Sequence, residues 1–158
     1  MADVLLVFNA GSTSLKFAAY RVDAAQGLSR CVAGSVDAMQ AAPRFVATGP
    51  AGQALARHDW APGQRVGHDE ALRFAVAWLQ GHLAGSTLRA AGHRIMLGGE
   101  RFDGPVRLDD AVLAYLDTLV AFEPSHQPLN VQGARTVAAL MPDLPVLMMS
   151  MHDENLYA

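Results

Sequence analysis

The sequence predicts an α/β fold built on a mixed β-sheet with flanking helices, and three observations carry that reading. The first third holds short apolar runs separated by turn residues. The middle and later parts switch to apolar spacings of three and four, the period of a helix face. An apolar run then returns after Pro145. Strands first, then helices, then a late strand is the order of an α/β domain.

Val4 to Phe8 is a continuous apolar run suited to a buried strand. Asn9, Ala10, Gly11, Ser12, Thr13 and Ser14 interrupt it, and a second extended run covers Leu15 to Val22. That gap has the length of a hairpin connection and is too short for a helical crossover, so the two strands are expected antiparallel. Further strands are expected at Cys31 to Val36, Arg44 to Thr48 and Gln53 to His58, the last two joined by the turn Gly49-Pro50-Ala51-Gly52. Leu72, Val76, Leu79 and Leu83 mark a helix face, opened by Asp69 and Glu70 where the helix dipole favours negative charge. Val112, Leu116, Leu119 and Val120 mark a second helix behind Asp109 and Asp110. A third starts at Pro128, carries Leu129, Val137 and Leu140, and stops at Pro142. Val146 to Met151 is the returning strand, with Met148, Met149 and Met151 as packing residues.

Composition narrows the function classes. The chain of 158 residues is 51% hydrophobic and 17% charged, against roughly 25% charged in an average domain, so it can bury a core. The net charge of −3 gives no basic field for nucleic acid or an anionic membrane. One cysteine, Cys31, excludes an internal disulfide and reads as a small buried apolar residue. No apolar run reaches the roughly 18 residues of a membrane span, and the start lacks the pattern of a signal peptide. The expectation is a single soluble cytoplasmic domain over residues 1–158.

Three stretches carry chemistry. In Asn9-Ala10-Gly11-Ser12-Thr13-Ser14-Leu15-Lys16, glycine and small residues let backbone amides approach an anion, and three hydroxyls add donors. Asn9 offers a neutral oxygen to hydrated magnesium or a phosphate, and Lys16, the only lysine among twelve cations, adds a point charge. The spacing is not that of a Walker A loop. The same residues also suit an ordinary polar hairpin tip with Lys16 in solvent, and their chemistry leaves both readings open. In Gly92-His93-Arg94-Ile95-Met96-Leu97-Gly98-Gly99-Glu100, Arg94 sits among apolar residues, where an unpaired cation is costly. It needs an anionic partner, either an internal acid such as Glu100 or an external carboxylate that matches its planar fork. His93 reads as structural. In Glu123-Pro124-Ser125-His126-Gln127-Pro128, two prolines fix the loop and so position His126, which by itself is either a surface histidine or a cleft residue. The histidines and the cysteine show no metal-ligand spacing.

Taken together and in order, these stretches resemble the acetate kinase family, within the fold group of sugar kinases, heat-shock ATPases and actin. Val4 to Lys16 is similar to the family's opening strand and Asn-Ala-Gly-Ser-Ser-Ser-Leu-Lys loop, with Thr13 the one change. Gly92 to Glu100 is similar to its Gly-His-Arg-x-x-His-Gly-Gly-Glu element, with Leu97 in place of the second histidine. Glu123 to Pro128 is similar to Pro-Leu-His-Asn-Pro, with Ser125 and Gln127 in place of the Leu and Asn. The resemblance implies an actin-like (ribonuclease H-like) ATPase domain and a magnesium-dependent phosphorylation of acetate by ATP to acetyl phosphate. Asn9 would help hold magnesium; Ser12, Ser14 and Lys16 would face the ATP phosphates. Arg94 would hold the acceptor carboxylate, with His126 lining the same cleft.

Two departures qualify what the resemblance implies. Where the family has a Phe-Asp-Thr-Ala-Phe-His element, this chain reads Met148-Met149-Ser150-Met151-His152-Asp153-Glu154, and Asp153 matches the family's catalytic aspartate only in a forced register, so that role is not carried over. Met96 and Ser125 fall where the family lines its acetate pocket, which leaves propionate or butyrate open as acceptors. Family members have two domains and more than twice this length, so the chain is expected to be the N-terminal domain alone. It would be completed by a second copy or a complementing chain. The alternative is a non-catalytic truncated domain that binds anions or a partner, or a remnant.

Overall fold

The computed structural model describes residues 1–150. Strands β1 (Asp3–Ala10), β2 (Leu15–Asp23), β3 (Gly27–Asp37), β4 (Arg44–Thr48) and β5 (Ala54–Asp59) are followed by helix α1 (His68–His82) and strand β6 (Thr87–Ile95). A single 3-10 turn (Gly99–Arg101), strand β7 (Val106–Arg107), helices α2 (Asp110–Thr118) and α3 (Gln127–Leu140), and strand β8 (Val146–Ser150) complete it. One eight-stranded sheet has the order β5-β4-β3-β2-β1-β6-β8-β7. β1 to β5 form an antiparallel meander, whereas β6 lies parallel to β1 and β8 parallel to β6. The mixed sheet expected from the sequence is therefore present.

The helices share one face for a topological reason. The crossovers β1→β6 and β6→β8 step the same way across the sheet, and right-handed connections that step the same way lie on the same side. That side carries Val4, Leu6 and Phe8 of β1, Leu15 and Phe17 of β2, and Ala91, His93 and Ile95 of β6, all buried. Alternation sends Leu5, Val7 and Asn9 to the other side, where they are only partly buried. Under α1, Phe45 stacks on Phe17 with ring centroids 5.6 Å apart and meets Phe74 and Trp78 edge-on at 4.9 and 5.5 Å. Such pairs add about 0.5–1.5 kcal/mol each beyond their burial. Thr136 Oγ1 donates to Asp69 Oδ1 across 2.8 Å and ties α3 to α1, while Arg135 pairs with Asp117 and ties α3 to α2.

Helix starts follow the local signals. Asp109 caps α2 by accepting from the Val112 amide at 2.7 Å. The third helix opens at Gln127, one residue before Pro128, which occupies its first turn. Three details differ from the sequence reading. Asn9 and Ala10 are strand residues rather than loop residues, because β1 and β2 stay paired up to Ala10 and Leu15. Strand β6, central to the sheet, was not expected as a strand at all. Cys31 is half-buried rather than buried, its Sγ donating to the Ala19 carbonyl at 3.3 Å. The expected strand residue Met151 lies outside the described residues, as do His152 and Asp153. No helix among the described residues is long and apolar enough to cross a membrane.

Two glycines in helices give opposite expectations. A Cβ on Gly133 of α3 would come within 2.6 Å of the buried His93 Nε2, whereas nothing lies within 4 Å of one on Gly81 of α1. Gly81→Ala should gain up to about 1 kcal/mol from helix propensity. Gly133→Ala should lose about 1–3 kcal/mol despite the same propensity gain, because the ring and the helix must move apart. Urea unfolding of both variants measures the two signs.

Candidate functional site

The loop after β1 is shaped by its glycine. The Gly11 amide donates to the Ser14 carbonyl at 2.8 Å, and a Cβ at Gly11 would sit 3.1 Å from Ser14 Oγ. The reversal is therefore tight enough to bring β1 back as β2 with Asn9 directly opposite Lys16. Two other segments hold the loop from outside. His68, the first residue of α1, donates through Nε2 to the Gly11 carbonyl, and the Met39 amide donates to the Thr13 carbonyl at 3.3 Å. Ser12 and Lys16 are exposed, while Asn9 and Ser14 are partly buried.

Arg94 projects from β6 on the side opposite His93. Its Nε is buried without a hydrogen-bond partner, and no carboxylate among the described residues forms an ion pair with it. Glu100, the internal partner weighed from the sequence, is exposed and makes no such pair. His93 is fully buried; its Nδ1 donates to the Arg94 carbonyl at 2.8 Å and its Nε2 has no partner. Burial pushes the imidazole down to about 4, only partly opposed by that backbone bond, so it is neutral at pH 7.

The start of α3 supplies the third part. His126 stands at the N-cap, and its Nδ1 donates to Glu123 Oε1 at 3.1 Å, leaving Nε2 as the nitrogen open to a ligand. Gln127, fully buried, accepts from the Leu97 amide at 2.9 Å and donates to the Leu97 and Leu116 carbonyls at 3.0 and 3.3 Å. Asn130, 3% exposed, accepts from the Met96 amide at 3.0 Å and donates to the Ala10 carbonyl at 2.9 Å.

These parts enclose one cleft of about 310 Å³. Asn9, Ala10, Gly11, Ser12, Ser14 and Lys16 form one rim; Arg94, Met96, His126 and Asn130 form the other. All six residues singled out from the sequence (Asn9, Ser12, Ser14, Lys16, Arg94 and His126) thus line a single space. It lies beyond the carboxyl ends of the parallel strands β1 and β6, the usual place for a ligand on an α/β sheet. Ser125 is exposed and lies outside the lining. Among the described residues no Asp or Glu lines the cleft, whereas Lys16 and Arg94 do, and these favour anions. The described residues contain no cluster of three or more acids, histidines or cysteines able to hold a metal. The donor set (Asn9 Oδ1 with the Ser12 and Ser14 hydroxyls) is neutral. It fits a hydrated magnesium ion that arrives on nucleotide phosphates, since magnesium keeps several waters and draws its charge from substrate phosphates.

Sequence reasoning missed Asn130 and saw Gln127 only as a changed neighbour of His126. A signal was there: both are polar, spaced by three, and fall on the side of the helix that also carries Val131, Ala134 and Val137.

The Acetokinase family profile matches residues 4–157. An acetate kinase of Rhodopseudomonas palustris is 35% identical over 146 residues, covering 92% of this chain and 36% of the relative. An acetate kinase of Rhizobium meliloti is 36% identical over 143 residues, covering 90% and 36%. The crystal structure of Porphyromonas gingivalis acetate kinase superposes with a TM-score of 0.77 at 22% identity, covering 94% of this chain and 37% of that one. A propionate kinase from Francisella tularensis gives 0.74 at 22%, covering 94% and 36%. The chain spans about a third of the length of these relatives.

The neutral, buried His93 predicts a pH signature. An unfolded histidine takes up its proton near pH 6.5, whereas the folded one resists until about pH 4, so between these values the unfolded state binds more protons. Stability should be full above pH 6.5 and fall by about 3 kcal/mol as the pH drops to 4. In His93→Asn, which keeps a donor for the Arg94 carbonyl, that slope should vanish; denaturant unfolding across pH 4–7 measures it.

Proposed function

The chain belongs to the acetate kinase family and has its actin-like ATPase fold, and from that premise we propose that it forms the phosphate- and acceptor-binding part of a carboxylate kinase. The reaction is transfer of the γ-phosphoryl group of ATP to acetate, giving ADP and acetyl phosphate. The observation that carries this reading is the cleft itself: an anion loop on one rim faces, on the other, an arginine whose buried Nε has no partner among the described residues.

A carboxylate is already an anionic nucleophile, so no proton need be removed. One acetate oxygen forms a bond to the γ-phosphorus, the bond from that phosphorus to the β–γ bridging oxygen breaks, and ADP leaves with the electron pair. The barrier is then mainly one of bringing two anions together in line. Two like unit charges 4 Å apart repel by about 4 kcal/mol at an effective dielectric of 20. Cations on both rims offset that repulsion. Arg94 binds the acceptor carboxylate through its planar fork. Lys16, Ser12, Ser14 and the amides of the Gly11 loop hold phosphate oxygens, and His126 lines the same cleft. Asn9 contributes an oxygen to the hydration shell of magnesium, which when bound shields the phosphate charges. Met96, on the acceptor rim, bears on whether acetate or a longer acid such as propionate fits.

Asn9 and Arg94 share the side of the sheet opposite the helices, where Leu5, Val7 and Leu147 are only partly buried. We infer that a second wall, from a further length of chain, a second copy or a complementing chain, closes the cleft and excludes water. A second reading is a non-catalytic anion-binding module, which the same cation-lined cleft also suits.

The test is acetate-dependent formation of acetyl phosphate from magnesium-ATP, trapped with hydroxylamine. Lys16→Ala and Arg94→Ala should each lower kcat/KM by about 100-fold or more. Arg94→Ala should raise the KM for acetate more than that for ATP, and Lys16→Ala the reverse. Binding of acetyl phosphate without turnover would favour the non-catalytic module; neither binding nor turnover would overturn both readings.

A further inference from the structure

We propose that Asn130 is a positioning residue that sets the separation between the phosphate rim and the acceptor rim of the cleft. This inference rests on the carboxylate-kinase reading for its catalytic consequence, although the tie itself is independent of it. Strands β1 and β6 are paired only as far as Phe8 and His93. Beyond that point the ladder stops, yet β1 runs on to Ala10 and β6 to Ile95, one residue before Met96, and Asn9 and Arg94 lie within these last residues. The cleft opens where the two strands are no longer bonded to each other.

Asn130 bridges that gap. Its Nδ2 donates to the Ala10 carbonyl at 2.9 Å and its Oδ1 accepts from the Met96 amide at 3.0 Å, so one side chain replaces the missing rung with a donor on one side and an acceptor on the other. The Ala10 carbonyl shares its peptide plane with the Gly11 amide, which starts the phosphate loop. The Met96 amide shares its plane with the Ile95 carbonyl, next to Arg94. Gln127, one turn earlier, holds Leu97 by both amide and carbonyl and fastens it to α2 through the Leu116 carbonyl. Helix α3 is therefore a rigid reference from which Asn130 measures both rims. An amide presents its donor and its acceptor on two separate atoms, as two partners on different strands require; an aspartate would place a carboxylate oxygen against the Ala10 carbonyl.

Asn130→Asp, compared with wild type from pH 7 to 5, tests the proposal. At pH 7 the bond to Ala10 is lost and that to Met96 is kept. The expected result is a kcat lower by about tenfold or more with both KM values within about threefold, since each rim keeps its own ligands while their alignment is lost. Backbone amide resonances of Gly11 and Met96 should shift while those of β3 and β4 stay. On acidification the buried carboxyl, which titrates above the usual carboxylate range, regains a proton and donates to Ala10. Rate and resonances should then return toward wild type. His68, His93, His126, Glu123, Lys16 and Arg94 are the other titratable or charged groups around the site, and the parallel wild-type series removes their contribution. Wild-type kcat at pH 7, both KM values rising at unchanged kcat, or no recovery in acid would overturn the proposal. If the variant does not fold at pH 7, hydrogen exchange of the wild-type Met96 amide decides: protection of about 100-fold or more supports the tie, and free exchange overturns it. If wild type neither turns over nor binds acetyl phosphate, the kinase reading fails, and the Gly11 and Met96 resonances alone judge the tie.

Discussion

Strand β1 is bonded along both edges, antiparallel to β2 and parallel to β6, and that double pairing is the constraint on which the rest depends. A one-residue slip of β1 against either neighbour would turn Val4, Leu6 and Phe8 away from the helices and Asn9 into them. Burial of those three side chains therefore locks the register. The locked register in turn sets Asn9 opposite Lys16 and brings the ends of β1 and β6 together at the cleft. Core packing and site geometry are two faces of the same strand.

The electrostatics of the molecule divide along similar lines. Arg44, Arg57, Arg73, Arg89 and Arg135 each hold an aspartate at the periphery. Most of these groups are well exposed, and such pairs contribute about 1 kcal/mol or less. In Asp59 the carboxyl is held down to about 2 by hydrogen bonds from Arg57 and Arg44, with no visible link to the cleft. Within the cleft the arrangement is reversed, with cations on both rims and no acid among the described residues between them. A buried guanidinium nitrogen without a partner is costly in the free protein. An anionic ligand supplies that partner, which ties the cost to binding rather than to folding.

The meander and the three helices were legible because each depends on local pattern: apolar runs broken by turn residues, or spacings of three and four behind acidic or proline starts. Strand β6 was hidden for a physical reason. Its helix-facing side carries Ala91, His93 and Ile95 rather than a run of branched residues, since His93 fits against the bare backbone of Gly133. A histidine and an arginine side by side read as polar surface or chemistry. In the fold, one is buried as a neutral packing residue and the other emerges on the opposite side. The site loops were legible because small and charged residues concentrate in them, whereas Asn130 and Gln127 were not. Their partners lie far away in the chain, and nothing beside them shows which carbonyl or amide they satisfy.

By itself, then, the sequence determined the class of fold, the hairpin that returns β2 onto β1, and the residues that carry anion chemistry. These follow from backbone freedom, apolar period and side-chain charge, which act over a few residues. Only the tertiary structure decided that the six residues share one cleft, that Arg94 pairs with no acid among the described residues, and that a helix amide bridges two strands where their ladder ends. Those outcomes depend on which strands become neighbours and on which side the crossovers pass, and both are settled by burial and handedness over the whole chain.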